Sequence, residues 1–358
     1  WYNLYFPLQA MKTKLSANTG LRALYPKKSD HNYSELQLNI LDYRLNCGLP
    51  NWEIYFRKVV SSLTNAKNTK VQNPTFDKSS KGQIPALPNK MIALVHFGRS
   101  GTGLLHSLLD GHSEISTLPS IYLSEYFSDS AWDKLISGGW NQMVSRFIST
   151  YEVLFDAKSS TPIETIGKML IHNIGIREGM ASLGENRNEA INVDKSIFRA
   201  NLEKLIAPFP EIDSFLFFQL LHQAYDKTID DTQQKNMIFY HIHNPSTAAE
   251  INFIKCCPYT EWVMMVREPI QSCESWLRES IKKNNYRDCV MKISYMLNQI
   301  NNPIFKTNKS VGIRLEDLKS FPEKTLPSIC DWFGIKEENC LYEMTAQGKR
   351  WWGNPASP

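Results

Sequence analysis

A glycine-rich turn between an apolar run and a helical pattern constrains the fold of this chain more than any other feature. The apolar run over residues 91–97 predicts a buried strand, the turn covers 98–103, and the helical pattern covers 102–109. Three glycines in six positions let the backbone turn sharply and bring N–H groups close to an anion. The helix directs its N-terminal donors and partial positive charge at the same place. The sequence therefore predicts a P-loop-like phosphate-binding loop.

Side chains of this turn strengthen the case for an anion. Ser100 and Thr102 bring hydroxyl donors, and Arg99 brings a planar charged fork that suits phosphate or sulfonate oxygens. A nucleotide triphosphatase loop ends in Gly-Lys-Ser/Thr, whereas here Gly103 is followed by Leu104. That difference counts against an ATP-using P-loop kinase. The candidate nucleotide-binding residues of the turn are Gly98, Arg99, Ser100, Gly101, Thr102 and Gly103.

Apolar runs and helical patterns alternate along the rest of the chain. Further buried strands are predicted over 237–242, 262–266 and 311–315. Helices are predicted over 247–256, 270–283, 288–300 and 324–333. This alternation is typical of a parallel sheet covered by helices on both faces. We therefore predict an α/β fold, a three-layer domain over 89–358 with a central parallel sheet and a large helical insertion over about 130–235.

The first 88 residues have a different character. Two short amphipathic patterns, over 34–46 and 52–63, are joined by Gly-Leu-Pro and predict a small helical hairpin. Residues 65–88 are polar, contain proline and glycine, and show no periodicity. We interpret them as a linker, so that residues 1–88 form an N-terminal arm and the main domain begins at 89.

Charge and cysteine content limit the partners and the compartment. The net charge of +4, from 40 basic and 36 acidic residues, argues against a general nucleic-acid binder. No apolar run reaches the roughly 18–20 residues of a membrane-spanning helix. None of the seven cysteines forms a CxxC pair, so neither a zinc site nor a disulfide framework is indicated. We expect a cytoplasmic protein; sequons at Asn32 and Asn308 leave a Golgi-lumenal enzyme with a removed anchor as the alternative.

Two separated motifs resemble those of one enzyme family. GRSGTGLL over 98–105 is similar to the 5′-phosphosulfate loop of sulfotransferases that use 3′-phosphoadenosine 5′-phosphosulfate (PAPS). VMMVREP over 263–269 resembles the family's 3′-phosphate element, with Arg267 at the strand end, Pro269 two residues later and Ser275 eight after the arginine. Proline suits the first turn of the following helix. The resemblance implies that Arg267 and Ser275 bind the 3′-phosphate.

Two later stretches extend the resemblance to roughly residues 90–355. VGIRLEDL over 311–318 is similar to the family's late strand and turn, whose role is architectural. GKRWWG over 348–353 lies where the family has a basic segment that closes over the nucleotide. The resemblance adds Lys349 and Arg350 to the predicted nucleotide-binding residues.

Sulfonate transfer needs a group that removes the acceptor's proton and one that stabilises the leaving phosphate. The resemblance gives Arg99 the second task. HIHNP over 241–245 resembles a strand end at which the family's histidine is the base, which makes His243 the candidate base. His241 stands where the family has a lysine that contacts the sulfonate, and an imidazole carries a positive charge only when protonated. The rival base is Glu125, since some family members use a glutamate shortly after the phosphate loop.

The resemblance implies transfer of a sulfonate group from PAPS to a hydroxyl of an unidentified acceptor, which could be a carbohydrate, a lipid or a small natural product. PAP is the product, and no metal is implied. Two alternatives remain at this point: a P-loop kinase-like phosphotransferase, and a catalytically inactive nucleotide-binding or scaffold protein of the same fold. The sequence leaves the acceptor and the oligomeric state open.

Overall fold

A five-stranded parallel sheet lies at the centre of the structure. The computed structural model describes residues 54, 69–76, 84–96, 99–161, 173–229, 234–243, 247–282, 284–287, 289–290, 293 and 309–355. The strands of these residues are β1 (Val71–Gln72), β2 (Lys90–His96), β3 (Ile115–Thr117), β4 (Glu211–Ile212), β5 (Met237–His241), β6 (Glu261–Val266), β7 (Ser310–Arg314), β8 (Thr345–Ala346) and β9 (Lys349–Arg350). The central sheet has the order β3-β5-β2-β6-β7, and every neighbouring pair in it is parallel.

Helices connect these strands and cover both faces of the sheet. The α-helices of the described residues are α1 (Thr102–Leu109), α2 (Asp129–Ile136), α3 (Trp140–Thr150), α4 (Ile174–Arg177), α5 (Lys195–Ile206), α6 (Ser214–Thr228), α7 (Thr247–Cys256), α8 (Pro269–Lys282), α9 (Leu315–Ser320) and α10 (Pro322–Phe333). Short 3₁₀ turns lie at Ser120–Leu123, Glu152–Leu154 and Asn339–Tyr342.

The middle strand β2 marks the point where the strand order reverses. Its neighbours are β5 on one side and β6 on the other, although both follow it at a distance along the chain. In open α/β sheets, ligands bind at such a switch point, outside the carboxyl ends of the strands. This rule places the candidate ligand site at the carboxyl ends of β2, β5 and β6.

Alternate residues of β2 enter two separate cores. Ile92 and Leu94 pack with residues of α1 and α10 on one face. Ala93 and Val95 pack on the other face against a larger core built mainly from residues 118–225. Successive side chains of a strand point to opposite faces, so a strand buried on both sides must be apolar throughout.

The predicted fold class is confirmed: the chain is α/β, with a central parallel sheet. The strands predicted over 237–242, 262–266 and 311–315 correspond to β5, β6 and β7 within one residue at each end. The helix predicted over 102–109 is α1. Sequence analysis missed β3, which has only three residues and therefore too short a pattern to recognise. Most of the helix predicted over 288–300 lies outside the described residues.

The predicted insertion is less uniformly helical than expected. It contains α2 to α6, but β4 also lies within it and pairs with β1 in an antiparallel ladder. Its aromatic residues are largely core: Tyr151, Phe155, Phe217 and Phe218 are fully buried.

The predicted linker over 65–88 packs against the insertion in its described part. The indole of Trp132 donates to the carbonyl of Thr69, and the amide of Asn73 donates to the carbonyls of Ala207 and Phe209. These part-buried hydrogen bonds attach the described part of the segment to the insertion. The helical hairpin over 34–46 and 52–63 falls outside the described residues except for residue 54, and the boundary at 88 stays a prediction.

Among the residues described, no helix has the length and apolar character to cross a bilayer.

Asp110, at the C-terminal end of α1, joins three segments through its buried carboxylate. It accepts hydrogen bonds from the hydroxyl of Thr117 at 3.0 Å, the hydroxyl of Thr345 at 2.8 Å and the backbone N–H of Gly348 at 2.9 Å. The strand β3, the β8–β9 hairpin and α1 are therefore held at one point.

We expect Asp110→Ala to lower the free energy of unfolding by about 2–4 kcal/mol, because it leaves several buried donors without acceptors. Urea denaturation measures the change. Asp133→Ala, at an exposed position of α2, is the control and should change the free energy of unfolding by less than about 0.5 kcal/mol. An Asp110→Ala protein as stable as that control would contradict the structural role of this carboxylate.

Candidate functional site

The turn between β2 and α1 presents several donors that no other described side chain uses. Ser100 is 1% exposed, and its hydroxyl has no hydrogen-bond partner among the described residues. Gly101 is the N-cap of α1, and no side chain caps the helix. A helix leaves its first N–H groups without intrahelical partners, so these groups can bind an anion together with a nearby hydroxyl. Gly98 lies outside the described residues.

Two glycines of the turn are required by their surroundings. Gly101 has a φ of +81°, which L-residues rarely adopt, and a Cβ there would overlap Cδ1 of Leu315. A Cβ at Gly103 would lie 3.2 Å from Cη2 of Trp351. Leu315, which follows β7, and Trp351, which follows β9, therefore pack closely against the turn.

The end of β6 brings a second cation to this turn. Nη1 of Arg267 is 3.5 Å from the carbonyl oxygen of Arg99, a long hydrogen bond. Nη2 of Arg267 donates to the side chain of Gln271 at 3.2 Å. The turns that carry these two arginines are therefore in contact, and the predicted roles of Arg99 and Arg267 at opposite ends of one nucleotide stay predictions.

Ser275 lies on α8, which begins at Pro269 as the motif predicts. It is half-buried and follows Gln271 by four positions. Residues four apart share a face of a helix, so Ser275 lies on the face whose Gln271 contacts the Arg267 guanidinium. Its predicted contact with a 3′-phosphate is compatible with this placement.

The segment after β7 contacts the turn between β2 and α1 and also the turn between β6 and α8. Glu316 accepts a hydrogen bond from the backbone N–H of Glu268 at 3.0 Å, and Leu315 packs against Gly101. The architectural role that the resemblance implies for residues 311–318 agrees with these contacts.

The end of β5 contacts the segment that carries Glu125. The backbone N–H of His243 donates to the hydroxyl of Ser124 at 3.2 Å, and Glu125 is the next residue. Burial raises the pKa of the Tyr240 phenol, and the charge of Glu125 adds to that rise, so this carboxylate lies near β5. Both His243 and Glu125 remain candidates on position.

A row of three imidazoles runs from β5 to α1. The ring of His241 lies 5.6 Å from that of His243 and 6.0 Å from that of His106. Burial lowers the pKa of His106 although the charge of Asp110 opposes it. His106 is therefore neutral at physiological pH, and its buried Nε2 has no hydrogen-bond partner among the described residues. Sequence analysis missed His106, although its place on the helix after the phosphate loop could have suggested it.

The two predicted C-terminal cations are paired with carboxylates of the insertion. Lys349 lies 3.1 Å from Glu189, and Arg350 lies 2.9 Å from Glu185. The guanidinium of Arg350 also lies over the ring of Trp352, 4.2 Å from its centroid. Their predicted contact with the nucleotide stays untested, and in this arrangement their charges are directed at the insertion.

Trp351 and Glu178 are two site residues that sequence analysis missed. The Trp351 ring packs against Gly103, and its indole N–H donates to the backbone carbonyl of Glu178 at 2.9 Å. The carboxylate of Glu178 accepts a hydrogen bond from Asn354 at 2.9 Å. Glu178 follows a four-residue helix in the insertion, and no sequence pattern marks it.

A buried Ser–His–Asp group elsewhere in the fold does not have the hydrogen-bond sequence of a catalytic triad, in which the histidine lies between the serine and the carboxylate. Ser116 hydrogen-bonds both His222, at 2.9 Å, and Asp226, at 2.7 Å, so the hydroxyl is central instead of the imidazole. Burial lowers the pKa of the His222 imidazole to about 3. The group is buried and serves the core between β3 and α6.

The described cysteines are free thiols: Cys256, Cys257, Cys273, Cys289, Cys330 and Cys340. Burial raises the pKa of Cys256, Cys330 and Cys340 to about 11, which disfavours the nucleophilic thiolate. Within the described ranges, no three His, Cys, Asp or Glu side chains are grouped so as to hold a metal ion.

The solved structures that are similar to this chain include sulfotransferases. The sulfotransferase domain from the curacin biosynthetic pathway is 15% identical, with a TM-score of 0.40 over 72% of this chain and 78% of that chain. The sulfotransferase domain from the Synechococcus PCC 7002 olefin synthase is 16% identical, with a TM-score of 0.36 over 75% and 82%. Sulfotransferase STF9 from Mycobacterium avium is 11% identical, with a TM-score of 0.36 over 88% and 76%.

No protein-family model matches the chain, and no curated protein matches it. Because the identities and TM-scores to the solved structures are low, we infer the function of this chain from the residues of its own site.

We expect Gly101→Ala to destabilise the fold by about 2–3 kcal/mol, because alanine is strained at positive φ and its methyl group would displace Leu315. Urea denaturation measures the loss. Gly312→Ala is the matched control: its position on β7 has no atom within 4 Å of a Cβ and no positive φ. Equal stability of the two variants would show that the turn does not need its left-handed glycine.

Proposed function

We propose that the chain is a sulfotransferase that moves a sulfonate group from PAPS to a hydroxyl of its acceptor and releases PAP. The contact between Arg267 and the backbone of Arg99 carries this proposal. PAPS bears anionic groups at both its 5′ and its 3′ positions, so it needs two cationic turns in one site. The ends of β2 and β6 supply two such turns.

The residues of the first turn fit the phosphosulfate end of this nucleotide. The buried Ser100 hydroxyl, the N–H groups at the start of α1 and the Arg99 guanidinium are donors of the kind that bind phosphate and sulfonate. Arg267 and Ser275 would bind the 3′-phosphate. When bound, PAPS supplies a sulfonate on a phosphate leaving group, whose developing charge Arg99 is suited to stabilise.

The same turn disfavours the kinase alternative. A P-loop kinase uses a lysine and the following hydroxyl after its last glycine to bind the nucleotide phosphates and Mg²⁺. Here Leu104 and Leu105 follow Gly103. A thermal-shift comparison of PAP with ATP plus Mg²⁺ separates the two donors.

The proton of the acceptor hydroxyl would pass to His243, with Glu125 as the rival base. His243 lies two residues beyond the end of β5, the strand that pairs with the central strand β2. In the position of the family's lysine, His241 would donate a hydrogen bond to the sulfonate without a fixed charge. The acceptor would bind outside the strand ends, because the insertion's aromatic residues Tyr151, Phe155, Phe217 and Phe218 are core and cannot line an open pocket.

Arg267→Ala should weaken PAP binding about 10–100-fold, because it removes a charged partner of the phosphate. Isothermal titration calorimetry measures the affinity. Arg278→Ala is the matched control on the same helix: this arginine is exposed and pairs only with Glu274 among the described residues. If Arg267→Ala bound PAP as tightly as Arg278→Ala, the 3′-phosphate assignment would be wrong.

His243→Ala should reduce sulfonate transfer about 10²–10⁴-fold while PAP binding persists, because the general base is lost and the nucleotide turns are intact. Transfer of labelled sulfonate from PAPS to a broad acceptor mixture measures the rate, and Glu125→Gln is assayed beside it. Full turnover by His243→Ala would remove His243 from the mechanism, and loss of turnover only in Glu125→Gln would identify the rival base. A wild-type protein that binds PAP but neither transfers nor hydrolyses PAPS would be a binding or scaffold protein.

A further inference from the structure

The helix α8 and the residues that follow it expose an unusual share of the apolar surface. Twelve large apolar side chains are exposed among the described residues, and five of them lie between residues 270 and 290: Ile270, Leu277, Ile281, Tyr286 and Val290. Single exposed apolar residues are ordinary, whereas several of them on one element mark an interaction surface. This segment is therefore a candidate interaction surface.

Three of these side chains form one line along α8. Ile270 is 75% exposed, Leu277 is 44% exposed and Ile281 is 53% exposed. At about 3.6 residues per turn, their directions around the helix axis lie within about 40° of one another, and they span about 16 Å along it. We call this line of three residues the α8 stripe.

Packing within the protein does not account for the α8 stripe. The inward face of the helix carries Ser272, Trp276 and Ser280, which are buried. Trp276 packs with Cys289 in a small core of their own. The hydroxyls of Ser272 and Ser280 have no hydrogen-bond partner among the described residues. A surface helix usually directs its apolar residues at the core, so α8 has its aliphatic residues on the wrong side for a helix that meets only its own chain.

The charges beside the α8 stripe indicate which partner covers it. One flank, about 40–120° around the axis from Ile270, carries Glu274 in the first half of the helix and Arg278 and Lys282 in the second half. All three are exposed, and Arg278 lies 2.6 Å from Glu274. When two such helices lie antiparallel, a twofold axis brings the acidic half of each flank beside the basic half of the other. The flank is thus complementary to a second copy of itself.

We propose that the α8 stripe is a self-association surface: two copies of the chain pair their α8 helices antiparallel, stripe against stripe, with Glu274 of each copy beside the basic residues of the other. Gln271 and Ser275 lie about 100–140° around the axis from Ile270, so the face proposed to bind the nucleotide stays open in the pair. The pairing needs no nucleotide and is therefore independent of the proposed function.

The size of the surface sets the strength of the pair. A contact between two helices of 14 residues each is smaller than a standard protein–protein interface. We therefore expect a reversible dimer with a dissociation constant of about 1–100 μM.

Sedimentation equilibrium over about 1–200 μM protein measures this association. The wild type should change from monomer to dimer across that range. Leu277→Glu should raise the dissociation constant about tenfold or more, because it places a charge in the centre of an apolar contact. Ile197→Glu is the matched control: it makes the same kind of change at an isoleucine of α5 that is 50% exposed, and it should dimerise as the wild type does.

A charge exchange tests the antiparallel flank. Glu274→Lys makes the flank wholly basic, and Arg278→Glu combined with Lys282→Glu makes it wholly acidic. Each protein alone should dimerise about tenfold more weakly than the wild type, because like charges then meet across the pair. An equimolar mixture of the two should form a heterodimer at concentrations at which neither associates alone.

Three results would overturn the proposal: a wild type that stays monomeric up to about 200 μM, a Leu277→Glu protein that dimerises as strongly as the wild type, or a mixture without heterodimers. Binding of a monomeric wild type to vesicles of anionic lipid, lost in Leu277→Glu, would assign the α8 stripe to a membrane surface instead. Failure of the wild type to bind PAP would overturn the proposed function and leave the dimer unaffected.

Discussion

The parallel pairing of β2 with β6 is the interaction on which the site depends. In this register Val95 lies opposite Met264, so the two strands end at the same edge of the sheet. Arg99 and Arg267 follow these ends and are 168 positions apart in the chain, yet their groups come into contact. Adjacent strands lie about 4.8 Å apart, so the turns at their ends lie side by side, as the two ends of the proposed nucleotide require. A change of register between these strands would separate the two cations, whatever the rest of the chain did.

Most of the other contacts at this edge support the turns or balance their charge. Leu315 and Glu316 come from the end of the next strand, β7, and hold one turn each. The imidazole of His106 on α1 is neutral, so it adds no positive charge near this edge.

The sequence was sufficient for β2, β5, β6, β7 and α1, because these elements depend on local apolar patterns. The expectation that Arg267 lies close to the turn before α1 came from the family resemblance, and the roles of the turn and of Arg267 in binding a nucleotide stay predictions. The sequence was not sufficient for Glu178 or Trp351, which reach the site only through the packing of the insertion and the C-terminal segment. Lys349, which the resemblance placed at the nucleotide, lies 3.1 Å from Glu189 of the insertion, a pairing that the sequence did not indicate; its contact with a nucleotide stays a prediction. Ion pairs between distant segments leave no periodicity in the sequence. The contacts of Asn73 with the carbonyls of Ala207 and Phe209 likewise join distant segments and leave no such pattern.

The C-terminal segment holds α1 at both of its ends. Asp110 ties the β8–β9 hairpin to the last turn of the helix, and Trp351, one residue beyond β9, covers Gly103 in its first turn. A helix fixed in this way cannot shift along its axis or tilt without breaking contacts at one end. Its N-terminal N–H groups are therefore already in position before a ligand arrives, and little ordering entropy is lost when one binds. The β8–β9 hairpin and Trp351 thus hold in place a helix start that lies about 250 positions earlier in the sequence.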